Sequence, residues 1–147
     1  MKKILVVNSN YYKSISKNLI DGAKSVLKNK VKISIINVAG IFEIPYVIRK
    51  NVNKFDGFVA LGCVIKGETP HFDLISKSTF YGIIDLTINF NKPISNGIIT
   101  ANNMKQAIKR SLLKKMSKPN KGIEASNAII SVLKNDPKKT QKHQHIR

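Results

Sequence analysis

The chain has little of what would support several kinds of protein. In 147 residues there is one cysteine, Cys63, which can form no intramolecular disulfide, and with only three histidines a structural zinc site is not expected. Cys63 reads instead as a small buried apolar residue. No apolar run approaches the roughly 18 residues of a membrane span, and Met1, Lys2 and Lys3 pass directly into a short apolar run from position 4. The expectation is a cytoplasmic protein with no membrane partner. Acidic residues are also scarce: 8 Asp and Glu stand against 26 Lys and Arg, a formal net charge of +18.

Such a charge raises the question of nucleic acid. Only Arg49, Arg110 and Arg147 are arginines, however, and lysine is spread along the chain together with Asn and Ile. That pattern fits lysine filling neutral surface positions. Scattered lysine is a poor reader of bases, and no RNA-recognition motif, KH loop or aromatic-basic interleaving is present. A basic RNA-binding protein of the same fold class is therefore the rival reading, and no nucleic-acid partner is expected. The field would still draw anionic small molecules toward the surface.

What the chain does have is alternation. Residues 3–9 (KILVVNS) and 31–38 (VKISIINV) are β-branched runs, and between them positions 15–27 carry apolar residues at helical spacing. After the turn AGIFEIP come a helix over about 45–53 and an apolar strand over 57–65 (GFVALGCVI). In 70–89, Phe72, Ile75, Thr79, Phe80, Ile83, Ile84 and Thr87 share one helical face; 93–100 (PISNGIIT) reads as a fourth strand, and helices over about 103–116 and 121–133 close the fold. Strands apolar almost throughout, alternating with helices, imply a parallel sheet covered on both faces, an α/β three-layer sandwich. The length suits one domain, 1–135. Beyond it, DPKKTQKHQHIR has one apolar residue in twelve and reads as a disordered basic tail, in which His143 and His145 have no catalytic role.

In parallel α/β sheets ligands gather beyond the carboxyl ends of the strands. After the third strand the chain reads Lys66, Gly67, Glu68, Thr69, Pro70, His71, Phe72, Asp73. Thr69 suits a helix cap and Pro70 the first helical position, so backbone N–H groups near Gly67, Glu68 and His71 would face an anion, and a phosphate fits. His71, at the positive end of that helix, is favoured as a neutral imidazole that exchanges protons; the alternative is a residue that only fills a capping position. Phe42 and Glu43, in GIFEIP, offer a ring and a carboxylate, although each alone is ordinary for core and helix start. NKGIEA opens the last helix, where a turn followed by an acidic first turn explains it equally well.

Taken together, AGIFEIP, ALGCVIKGETPHFD, NGIIT followed by QAIKR, and NKGIEA resemble, in order, the sequence blocks of the lumazine synthase family, over about residues 3–133. The resemblance implies a flavodoxin-like sheet of four parallel strands and active sites shared between neighbouring subunits. It implies condensation of 5-amino-6-(D-ribitylamino)uracil with 3,4-dihydroxy-2-butanone 4-phosphate, with no cofactor and no metal. Tyr11 would stack on the uracil, Phe42 would help bind it, and Glu43 would accept ribityl hydroxyls. Leu61, Gly62, Cys63, Val64 and Ile65 would flank the pyrimidine. Gly67, Glu68 and Thr69, with Arg110 from the adjacent subunit, would hold the phosphate. His71 would move protons, Lys121 would contact the pyrimidine side, and Glu124 would orient Arg110.

The chain departs from the family pattern in places. Lys66 stands where Arg is common, Tyr11 replaces Phe or Trp, Lys105 replaces a frequent Glu, and Asn96, in the neighbour's wall of the site, occupies a position that is often Phe. SLLKKMSKP between Arg110 and Asn120 is longer than the turn of capsid-forming members, so pentamers or decamers are expected. Riboflavin synthase is a possible partner. A binding paralogue without catalysis is a further alternative, against which Glu43, His71, Arg110 and Lys121 are all retained.

Overall fold

The structure is a computed structural model describing residues 1–113 and 120–135. The tail from 136, with His143 and His145, and the lysine-rich segment 114–119 lie outside the described residues.

Four strands, β1 (Lys3–Ser9), β2 (Lys32–Val38), β3 (Gly57–Ile65) and β4 (Ile94–Ala101), form one sheet in the order β2-β1-β3-β4. Every pairing is parallel: Ile4 faces Ile33 and Gly57, and Phe58 faces Ile94. Five α-helices cover it: α1 (Lys13–Leu27), α2 (Ile44–Lys50), α3 (His71–Phe90), α4 (Met104–Ser111) and α5 (Lys121–Lys134).

Strand alternation sends successive side chains to opposite faces, so a strand buried on both sides must be apolar throughout. From β1, Ile4 and Val6 join Val59, Leu61 and Ile99 in a core shared with Leu19 and Ala23 of α1 and Ile129 of α5. Leu5 and Val7 face the other way, with Phe58, Ala60 and Ile98, onto Ile44 and Ile48 of α2 and Ile83 and Leu86 of α3. This is the three-layer arrangement the alternation implies, with the flavodoxin-like parallel sheet that the resemblance implies.

Several boundaries differ from the sequence reading. Val31 belongs to the turn before β2, its N–H bonded to Leu27 O at 3.3 Å, because Asn29 takes a left-handed conformation (φ 64) that reverses the chain. Before α2 the chain makes a 3-10 turn, Ile41–Glu43, and α2 ends at Lys50. Asn91, also left-handed (φ 53), stops α3. The buried face of α3 is Ser76, Thr79, Ile83 and Leu86; Ile84, expected inside, is 54% exposed. Helix α3 carries two apolar stripes, and the second, with Leu74, Tyr81, Ile84 and Ile88, faces solvent. Helix α4 ends at Ser111, five residues before the expected end, because Leu112 is extended (ψ 139).

Candidate active site

Helix α1 carries the chain from β1 to β2 on one side of the sheet, while β3 adds on the other side of β1. Connections that diverge from neighbouring strands leave a crevice at their carboxyl ends. A cleft of about 560 Å³ lies there. Its walls are Ser9, Tyr11 and Tyr12 after β1; Gly40, Ile41, Phe42 and Glu43 after β2; Cys63, Val64 and Ile65 of β3; and Gly67, Thr69, His71, Phe72 and Ile75 leading into α3.

The cleft owes its shape to Gly62. A Cβ there would lie 2.8 Å from Ile41 Cγ2 and 3.0 Å from Ser9 Cβ. Without a side chain at 62, the Ile41–Glu43 turn settles over the strand ends and brings Phe42 and Glu43 to the rim. Phe42 is 62% exposed and Tyr11 72%, and Tyr11 meets Tyr12 edge to face at 4.9 Å. Exposed rings at a cleft mouth offer flat apolar faces on which a planar group can stack.

The loop after β3 leaves the sheet with Lys66 N–H donating to Ala101 O at 2.9 Å. Pro70 takes the cap position of α3 with ψ 4, so the helix starts at His71, one residue later than the sequence suggested. The residue before proline is kept out of the helical region, which leaves Thr69 outside the helix. Its Oγ1 nevertheless accepts the His71 N–H at 3.4 Å. The first helical bond is Leu74 N–H to Pro70 O at 3.1 Å, so the N–H groups of Phe72 and Asp73 precede it. They and the helix dipole favour an anion beside His71.

Cys63 and Tyr12 form the less polar end of the cleft. Burial pushes the Cys63 thiol up to about 11. The Tyr12 phenol is also raised, mainly by burial, then by Cys63 and Tyr11. Both groups therefore stay protonated at neutral pH and present uncharged surface.

Three of the expected residues lie elsewhere. Asn96, Arg110 and Lys121 line a pocket of about 200 Å³ along edge strand β4, with Phe80, Ile98, Ile99 and Thr100. Asn96 Oδ1 accepts the Ile98 N–H at 3.0 Å, which holds its side chain along the strand. Arg110 reaches this pocket from α4, whose start is fixed reciprocally: Asn103 Oδ1 accepts from Gln106 N, and Gln106 Oε1 accepts from Asn102 N. Lys121 begins α5.

Other expectations shift in the folded chain. Leu61 is fully buried in the core under α1 and α5, and Gly62 is buried, so of residues 61–65 only Cys63, Val64 and Ile65 line the cleft. Leu61 shares the face of Cys63 but lies two residues further from the strand end, inside the core, and the seating of Ile41 accounts for Gly62. Glu68 is exposed and off the cleft wall. Glu124 bonds Lys121 Nζ at 3.2 Å, three residues back on the same helix. Conversely, Ser9, Tyr12, Gly40, Phe72 and Ile75 line the cleft without having been anticipated. Position at a strand end was the available signal for Ser9; Phe72 and Ile75 read as core because they share the helical face of Ile83.

Comparison with known proteins decides the family. The family model for 6,7-dimethyl-8-ribityllumazine synthase matches residues 1–136. The chain belongs to this family. It is 38% identical over 137 residues to the 6,7-dimethyl-8-ribityllumazine synthase of Campylobacter jejuni subsp. doylei, covering 89% of this chain and 87% of the relative. The same-named proteins of Bartonella bacilliformis (40% over 135 residues, 88% and 87% covered) and Aliarcobacter butzleri (38% over 138, 90% and 86%) are similar along the same span. As a member of the lumazine synthase family the chain is a transferase of riboflavin biosynthesis. The family's motif residues fall into two groups within one chain, an aromatic cleft with His71 and a cationic edge pocket with Arg110. No described helix is long and apolar enough to cross a membrane.

Proposed function

We propose that this protein condenses 5-amino-6-(D-ribitylamino)uracil with 3,4-dihydroxy-2-butanone 4-phosphate, giving 6,7-dimethyl-8-ribityllumazine, phosphate and water. The observation that carries the reading is the convergence of Tyr11, Phe42, Glu43, Gly67, Thr69 and His71, distant in sequence, on one cleft at the carboxyl ends of β1 and β3.

In this reading Tyr11 and Phe42 hold the uracil ring and Glu43 accepts ribityl hydroxyls. The substrate phosphate lies by the Gly67 to Thr69 loop and the start of α3. The uracil 5-amino group adds to the ketone carbonyl and water leaves, forming the imine. Phosphate is then eliminated, the enol left behind becomes a ketone by proton shift, and the ribitylamino nitrogen adds to that carbonyl and expels a second water to close the ring. His71, at the phosphate end, carries protons between these steps, and holding both substrates together supplies much of the rate.

A phosphate needs more positive charge than the cleft of one chain presents. Arg110 supplies a planar fork, but from a separate pocket on the β4 edge. A cyclic homo-oligomer would seat one subunit's β4 edge against the next subunit's cleft and complete every site by the same rotation. The exposed apolar stripe of α3, Leu74, Tyr81, Ile84 and Ile88, supports assembly, since contiguous apolar surface of this kind usually marks an interface. Pentamers, singly or paired as decamers, are the proposed state.

The test is direct. Purified protein mixed with both substrates should yield the absorption and fluorescence of the lumazine product; a correctly folded protein that yields none overturns the assignment.

A further inference from the structure

Arg110 and Lys121 line the same small pocket although they lie on different helices. Lys121 is steadied there by Glu124 at 3.2 Å, but Arg110 and Lys121 share the pocket only while the end of α4 and the start of α5 stay together. The junction between those helices contains Asn120, which is only 2% exposed.

Both ends of the Asn120 side chain are occupied. Its Nδ2 donates to Ser111 O, the residue after Arg110, at 2.8 Å, and to Asn18 O, on α1, at 3.0 Å. Its Oδ1 accepts the N–H groups of Gly122 and Ile123, capping α5 at 2.8 and 3.1 Å. One amide thus ties together the end of α4, the start of α5 and the middle of α1. Two glycines make room for it. A Cβ on Gly22 would lie 2.4 Å from Asn120 Oδ1, and one on Gly122 would lie 2.2 Å from Leu19 O. Capping α5 requires only an acceptor, and Ser or Asp would serve. The two donated bonds go beyond capping, and one of them fixes the backbone next to Arg110.

We propose that Asn120 is a positioning residue of the edge pocket: its donated bonds hold Arg110 and Lys121 opposed, so that both face one anionic ligand. The identity of that ligand as the phosphorylated substrate rests on the function proposed above; the positioning role itself does not.

The test is a double-mutant cycle with inorganic phosphate as the probe, read by calorimetry, alongside steady-state kinetics. Asn120→Ser keeps an acceptor for the α5 cap and removes both donated bonds. Gly22→Ala leaves the amide chemically intact but pushes on it from α1, giving a second route should the first variant fold poorly. Each should raise the Kd for phosphate and the KM for the phosphate-bearing substrate about tenfold, with kcat and the KM of the second substrate within about twofold. In an Arg110→Ala background the same changes should add less than about twofold, because residues acting through one another are not additive. Fully additive losses, a fall in thermal stability with phosphate affinity unchanged, or a wild-type protein that binds no phosphate would each overturn the proposal. A wild-type protein that binds phosphate but forms no lumazine would sink the functional assignment alone, and the phosphate cycle would still decide the role of Asn120.

Discussion

The cleft and the edge pocket are built by different means. The cleft, about 560 Å³, follows from topology: wherever connections diverge from adjacent parallel strands a crevice opens, and Gly62 and the Ile41–Glu43 turn only shape it. The edge pocket, about 200 Å³, has no such guarantee. It exists because side-chain hydrogen bonds from Asn96, Asn103, Gln106 and Asn120 hold a strand edge and two helix ends in place. The chemistry divides likewise, with aromatic rings, a carboxylate and an imidazole in the first and two cations in the second. The first is lined by no Lys or Arg and the second by no carboxylate or imidazole, although Phe80 gives it one ring, so substitutions in the two should differ in kind.

The largest expected effect is at the edge. Arg110→Ala removes a charge-assisted phosphate contact and should raise the KM for the butanone phosphate about a hundredfold, with a much smaller change for the uracil. Equal changes for both substrates would break the division of labour. Mixing sharpens it: Arg110→Ala and His71→Ala subunits, co-refolded in equal amounts, should regain about a quarter of wild-type sites if each site draws on two chains. No gain over the parents would place both residues in one subunit's site.

In the cleft, His71→Ala should lower kcat roughly tenfold to a hundredfold while leaving both KM values nearly unchanged, because orientation persists without the proton carrier. Unaltered turnover would remove His71 from the mechanism. Gly62→Ala is a milder probe of the same region. Its Cβ meets Ile41 Cγ2 at 2.8 Å, so the turn must shift, at a cost of about 1–3 kcal/mol. The KM for the uracil should rise while phosphate binding at the edge pocket stays as it was. An undisturbed uracil KM would show that the turn does not shape the ring site.

The same contrast governs how much the sequence alone could tell. Strands Lys3–Ser9 and Gly57–Ile65 were readable to the residue because burial on both faces demands unbroken apolar runs. Cleft residues sit in short contiguous motifs at strand ends, where position itself signals a ligand. Helix α3 resisted because it has two apolar stripes, and periodicity cannot say which one meets the sheet; Ile84 was assigned inward on that account. The side-chain ties of the edge pocket were also hidden. Nothing local to Asn120 announces a bond to Asn18, 102 residues away, and the pairing of Glu124 with Lys121, its i,i+3 neighbour, was one of several partners the sequence left open to it.

The smallest effect expected on catalysis concerns Cys63, a buried residue of the cleft wall. A free thiol with a pKa of 9.0 is about one-tenth thiolate at pH 8, whereas one raised to about 11 is about one-thousandth. Alkylation of native protein at pH 8 should therefore run about a hundredfold slower than in the unfolded chain, before any steric hindrance is counted. Stability should follow the same group. Because the folded pKa lies above the unfolded one, the native state binds more protons between pH 9 and pH 11, and stability falls as pH rises through that window. Well below pH 9 both states are protonated and Cys63 contributes almost no slope. The total loss should be on the order of 2 kcal/mol and should vanish in Cys63→Ala, which has nothing to titrate. Lysines lose charge over the same range in both proteins, so the difference between their denaturation midpoints isolates the thiol. Rapid alkylation at pH 8, or identical alkaline stability profiles for the two proteins, would mean that the cleft admits water to Cys63 and that this wall is less closed than its burial indicates.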